Sequence, residues 1–336
     1  MINTIVMKTN LKFIPTLLIG LVMTIAIGQK VNAQDAQISQ FDAAPVMFNP
    51  ANTGMLKFTD MRMATLYRSQ WSSLSTSFNT FALSFDMAAN DRMGFGAVFV
   101  NTDEANIINT SNFLLSGAYQ VTDPNNTKYM ITTGVQLGIL YKRINTNDMV
   151  FDSQFYNTNF DRDLPHMETF TRTSRFMLDA NMGVSYKSTD RTKKVNPFAD
   201  AAIFHITTPN ESFIGEEKSK LPMRVMGNIG ARIEANRELI IEPSVIYNHQ
   251  RKSSQFQPNV LAYYTVSGTP YQAIGGLSYR TEDAVIIHAG VRHNSNIFRI
   301  SYDINTSGLG EYSNNRGALE FTVIYRPGRR SSRAIY

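Results

Sequence analysis

The chain has 336 residues, no cysteine and a formal net charge of +5, from 32 Lys+Arg against 27 Asp+Glu. The missing thiols exclude a disulfide framework and any thiolate metal or redox centre. Three lysines before Gln34 and four arginines from Arg326 onward account for the positive excess, leaving 25 basic against 27 acidic residues between them; no basic stripe with interleaved aromatics is present, so nucleic acid is not an expected partner.

In chain order, Lys8 and Lys12 precede an apolar run from Phe13 to Ile27 that closes on Val31-Asn32-Ala33. This is the pattern of a cleavable export signal over residues 1–33, with cleavage expected after Ala33. No later stretch approaches the roughly 20 apolar residues a membrane helix needs, so any membrane residence must be through strands. Residues 34–59 form a pre-barrel segment in which Asn49-Pro50 and Gly54 bracket a constrained bend, since proline fixes φ and glycine admits positive φ. Two readings of it stand side by side: a rigid turn feeding the first strand, or a segment that enters the barrel mouth or meets a periplasmic partner.

From residue 60 to 326 the sequence alternates apolar and polar residues with period two. Strands are predicted at 60–71, 76–88, 92–101, 107–121, 128–143, 173–188, 194–206, 221–233, 237–250, 254–265, 271–281, 284–292, 295–304 and 318–326. Alternation alone also suits a soluble two-layer sandwich. With an export signal and an even number of strands, it predicts an all-β transmembrane up-and-down antiparallel barrel of about 14 strands in the outer membrane. Three long polar connections, Asn145 to Thr171, Thr207 to Lys220 and Asn305 to Arg316, all follow odd-numbered strands and are expected on one face, the outer one. A basic tail, 327–336, ends the chain.

In the first strand, Tyr67 and Trp71 are expected toward lipid, with Arg68 and Gln70 inside and Arg68 paired to Asp86 on the next strand. The inward parity also carries Arg62, Asp86, Glu242, Arg280, Arg292, Asp303 and Glu320, charges of both signs. A mixed set predicts an internal ion-pair network more than an ion-selective pore. No catalytic, cofactor or metal site is expected. None of His166, His205, His249, His288 and His293 stands in a nucleophile elbow, a zinc-binding helix motif or a spaced metal set. Gly94 and Gly96 lie in a strand where small residues ease packing, and the acid-rich stretch from Asp148 to Asp163 does not fit a calcium loop.

Several blocks recur in a recognisable order: Gln34-Asp-Ala-Gln-Ile-Ser-Gln-Phe41, Phe48-Asn49-Pro50-Ala51, Tyr67-Arg68-Ser69-Gln70-Trp71, Ser84-Phe85-Asp86, His205-Ile206-Thr207-Thr208-Pro209, Gly276-Leu277-Ser278-Tyr279-Arg280, Ser301-Tyr302-Asp303 and Ala318-Leu319-Glu320-Phe321. In these the chain resembles the PorP/SprF family of type IX secretion and gliding proteins of Bacteroidota, departing from it at Asn52-Thr53, where the family usually has Tyr-Ala. The resemblance implies a non-enzymatic outer-membrane component that helps deliver cargo such as surface adhesins. Its implied partners are lipid, periplasmic ring or peptidoglycan-associated components, and the C-terminal domains of secreted cargo. An outer-membrane channel or hydrophobic-ligand transporter is the alternative for the same wall.

Overall fold

The structure is a computed structural model that describes residues 35, 37–56, 59–71, 76–146, 149–156, 159–161, 164–165, 170–215, 219–308 and 315–327. The expected export signal over residues 1–33, Gln34, His166 and the tail beyond residue 327 lie outside the described residues.

Fourteen strands form one closed antiparallel barrel. They are β1 (Met61–Gln70), β2 (Phe78–Ala88), β3 (Met93–Glu104), β4 (Ile108–Gln120), β5 (Tyr129–Ile144), β6 (Ser174–Ser188) and β7 (Val195–Phe204), followed by β8 (Arg224–Glu234), β9 (Leu239–Gln250), β10 (Ser253–Thr265), β11 (Tyr271–Arg280), β12 (Ala284–His293), β13 (Asn296–Asn305) and β14 (Arg316–Tyr325). Each strand pairs with its sequence neighbour, and β14 closes on β1 from Met63↔Tyr325 to Gln70↔Ala318. Closure leaves no free sheet edge around the ring except where neighbouring strands differ in length.

Burial decides between sandwich and membrane barrel. In β2, Thr80, Ala82, Ser84 and Asp86 are buried while Phe81, Leu83, Phe85 and Met87 are exposed, and the same inversion runs round the wall. A continuous apolar outer surface with a polar interior suits lipid and would be untenable in water. Among the described residues no helix is long and apolar enough to cross a membrane. The three long connections, after β5, β7 and β13, emerge at one mouth; the connections at the other mouth are no longer than the eight residues between Gln120 and Tyr129.

The segment before β1 runs inside the barrel. It folds as a 3-10 turn at Phe41–Ala43, one helical turn α1 at Pro45–Phe48 and a second 3-10 turn at Pro50–Asn52. Turns this short cannot satisfy their own backbone, and side chains of the wall supply partners: Gln136 Nε2 donates to the Val46 carbonyl at 2.9 Å and Thr132 Oγ1 to that of Ala51 at 2.8 Å. Its apolar residues pack in three small clusters, among them Val46 against Val98 and Leu114, and Phe41 against Ala202, Phe204 and Met226.

Candidate functional site

The interior gathers its charges around this segment. Nearest the long-loop mouth, Arg68 donates to Asp303 Oδ2 at 2.9 Å and to Glu320 Oε2 at 3.2 Å, and Arg280 donates to the same Asp303 oxygen at 2.6 Å. All four are buried. A buried ion cluster is tolerable only when its remaining lone pairs are also satisfied, and here the segment does this. The N–H groups of Ser39 and Gln40 donate to the two Glu320 oxygens at 2.8 Å each, and Ser39 Oγ donates to Asp303. Ser39 and Gln40 thus complete a cluster whose other members come from β1, β11, β13 and β14.

Near the short-turn mouth, Arg62 holds Asp86 through Nε at 2.9 Å and Nη2 at 2.8 Å, and the Gly54 N–H donates to the same carboxylate at 2.8 Å. Between the two clusters, Asn49 caps the turn that follows it, accepting from the Ala51 N–H at 2.9 Å, and donates to the Val184 carbonyl at 2.8 Å. Pro50, Gly54 and Asn49 therefore lie against the wall. The fit is close enough to require glycine: a Cβ at Gly94 would stand 2.2 Å from the Thr53 carbonyl oxygen, and one at Gly134 2.4 Å from that of Pro50.

A third cluster anchors the start of the described segment. His205, the residue after β7, contacts Asp35 at 2.8 Å through Nε2 and Asp179 at 3.0 Å through Nδ1, and Arg224 reaches Asp35 at 3.2 Å. Burial alone would lower the His205 pKa, but the charge of Asp35 and the carboxylate hydrogen bonds outweigh it and raise it to about 9. Burial would likewise raise Asp35, yet His205 and Arg224 hold its carboxyl well below the usual range.

Between the segment and strands β6 to β10 lies a cavity of about 300 Å³, lined by Phe41, Phe48, Asn52, Lys187, Asp200 and Glu242 among others. Its wall mixes rings with charges. Among the described residues no group of three or more His, Asp and Glu side chains is arranged to hold a metal ion.

The expected pairing of Arg68 with Asp86 is overturned by register. β1 and β2 pair Arg62↔Asp86 and Arg68↔Thr80, while β1 and β14 pair Arg68↔Glu320. The expected single network is also divided. Arg280, Asp303 and Glu320 share one cluster, Asp86 belongs to another, and Glu242 faces Arg232 at 3.7 Å. Arg292 makes no ion pair with a described residue and lies 5.9 Å from the Tyr263 ring centre. Tyr67 is lipid-facing, Arg68 is buried, Gln70 is half-buried, and Trp71 packs edge-on against Phe78 at 5.0 Å. Sequence reading missed Ser39, Gln40 and Asp35 as partners of the wall charges. The Ile38-Ser39-Gln40-Phe41 block was the available signal, because polar residues beside an aromatic in a turn-rich stretch need partners.

The model of the type IX secretion system membrane protein PorP/SprF matches residues 30–325. The chain belongs to the PorP/SprF family. As a member it is a component of the type IX secretion system, and its barrel is of the outer-membrane kind. A comparison with curated proteins gave no match. Among solved structures, the toluene transporter TbuX of Ralstonia pickettii is similar at 11% identity and TM-score 0.50, over 84% of this chain and 92% of that one. The KdgM porin is similar at 8% identity and TM-score 0.39, over 79% of this chain and 99% of that one. The likeness to the toluene transporter is one of fold.

Proposed function

We propose that this PorP/SprF member is a non-enzymatic outer-membrane component that assists delivery of type IX cargo, such as surface adhesins, to the cell surface. Its long-loop mouth faces outward, its short-turn mouth meets periplasmic ring or peptidoglycan-associated components, and the C-terminal domains of cargo are the secreted partners. An export signal cleaved after Ala33 brings it to the outer membrane. The observation that carries the reading is the occupied interior: the buried charges of the wall are bonded to Ser39, Gln40 and Gly54 instead of lining an open passage. A pore needs charges facing water. Deleting the gene is expected to abolish surface display of at least one type IX cargo while leaving other outer-membrane proteins in place; display of every such cargo at wild-type level overturns the reading.

The cavity of about 300 Å³ favours a second reading, a channel or transporter for a small ligand. Its lining by Lys187, Asp200, Arg232 and Glu242 suits a polar ligand better than a hydrocarbon. Stable conductance or liposome swelling with the purified protein supports this second reading.

A further inference from the structure

The ring has one uneven join. β6 has 15 residues and β7 only 10, and they pair solely from Met182↔Ile203 to Lys187↔Phe198. The upper part of β6, from Ser174 to Ala180, stands beside no strand on that side. The connection after β7 leaves the wall at His205. Ile206 N–H still donates to the Ala180 carbonyl and Thr207 Oγ1 to that of Leu178. The connection then turns inward, with Glu211 pairing to Lys142 at 2.8 Å and Ser212 accepting from Arg175, and returns above β6, where the Phe213 carbonyl accepts from the N–H groups of Thr171 and Arg172 at 3.0 and 3.3 Å.

The result is a notch in the wall at the long-loop mouth. Even-numbered residues of β6 point their backbone groups into it, as the Leu178 and Ala180 carbonyls show. Among the described residues no backbone bond reaches Phe176 from this side. On either side of that backbone the two parities differ. Phe176 and Leu178, 76% and 73% exposed, point outward and are the most exposed large apolar side chains among the described residues. Arg175, of inward parity, has no carboxylate partner among the described residues.

We propose that this notch is a strand-acceptor site: an extended segment of a secreted polypeptide adds beside Ser174–Leu178, apolar on its outward parity and acidic on its inward parity opposite Arg175. Three features select this occupant. The backbone groups of Phe176 that face the notch have no backbone partner among the described residues and stand beside exposed apolar side chains; such groups are costly in lipid and are satisfied by strand addition. The cation of Arg175, bonded to the Ser212 carbonyl and with no carboxylate partner among the described residues, sets the sign of the inward residue. A segment antiparallel to β6 also continues the direction of β7, toward the long-loop mouth, which is the direction of export. This rests on the reading of the chain as a type IX delivery component with its long loops outward.

The chain contains no cysteine, so single thiols report cleanly. The test is made in the producing bacterium with a reporter fused to a type IX cargo C-terminal domain carrying single cysteines at successive positions. With Ser174→Cys or Phe176→Cys in the barrel, oxidation is expected to yield disulfides at alternate reporter positions. Those positions should shift in opposite sequence direction between the two barrel variants, as antiparallel pairing requires. Phe176→Pro, which removes the N–H that faces the notch and spares the β5 ladder, is expected to lower surface reporter tenfold or more. Heat-modifiable migration of the variant shows that its barrel has closed. Should Phe176→Pro fail to close, the disulfide pattern decides. Loss of the reporter on gene deletion, together with no disulfide or an equal yield at every position, overturns the strand-acceptor site and leaves the delivery reading intact. Unchanged reporter in the deletion strain overturns the delivery reading and the site with it.

Discussion

Arg68 shows how a side chain that strand alternation sends inward acquires its role from distant parts of the chain. Its guanidinium bridges Asp303 and Glu320, and Ser39 Oγ accepts from it at 2.7 Å. Truncating one partner of such a buried cluster typically costs about 3–5 kcal/mol, because the survivors are left as uncompensated charges. Arg68→Met is expected to lower the chemical-unfolding stability of the barrel in detergent by that order. Adding Glu320→Gln should cost less than the sum of the two single changes, a coupling that a double-mutant cycle measures. The Asp35–His205 contact responds instead to pH. A histidine whose pKa is raised to about 9 contributes stability that is fully present below its ordinary value of 6.5 and lost as pH rises through 9. Asp35, held below its ordinary value of 3.8, contributes above that value and loses its contribution as pH falls below it. A spin label at Ile38→Cys is expected to stay immobile between about pH 4 and pH 8 and to gain mobility above about pH 9; an unchanged line shape at pH 10 refutes the anchor.

At the scale of elements, the strands were legible and their partners were not. Alternation marked all fourteen strands within a few residues, because a wall between lipid and a polar interior forces opposite chemistry on successive side chains. It also placed Arg68 inside. The partner of Arg68 is set by register with β14, some 250 positions away, and no local pattern carries that. The segment Asn49–Gly54 was likewise readable as a constrained bend, since Pro50 and Gly54 restrict the backbone locally. Where the bend sits was not readable, because the wall residues that receive it are glycines scattered over β3, β5 and β6, identifiable only once they face Thr53, Pro50 and Asn49. Gly134 makes the test, because the atoms a Cβ would meet are backbone atoms of Pro50 and Ala51 at 2.4 and 2.5 Å, which no rotamer change can move. Gly134→Ala is expected to leave the barrel closed and to displace the Asn49–Gly54 turn, seen as faster proteolysis of the segment before β1 with unchanged heat-modifiable migration. Equal proteolysis rates for variant and wild type contradict the tight fit.

The whole molecule is a barrel whose stability and permeability are expected to depend on the same segment. A wall of fourteen strands encloses room for a passage, but the interior is crossed from Asp35 at the long-loop mouth to Gly54 near the short-turn mouth, and each cluster of wall charges is tied to it. The segment is therefore expected to have two roles at once. It supplies the donors that make Glu320, Asp303 and Asp86 tolerable inside a low-dielectric wall, and by filling the interior it is expected to block flow. These roles predict opposite changes when it is removed. A variant lacking residues 37–54 is expected to conduct ions in a planar bilayer, because the charges that bonded to the segment now face water, and to unfold at lower denaturant, because Glu320 and Asp86 lose partners. The intact chain is expected to be electrically silent in the same bilayer. Silence of both proteins refutes the blocking role. Conductance without loss of stability refutes the bonding role and leaves a segment that merely fills space.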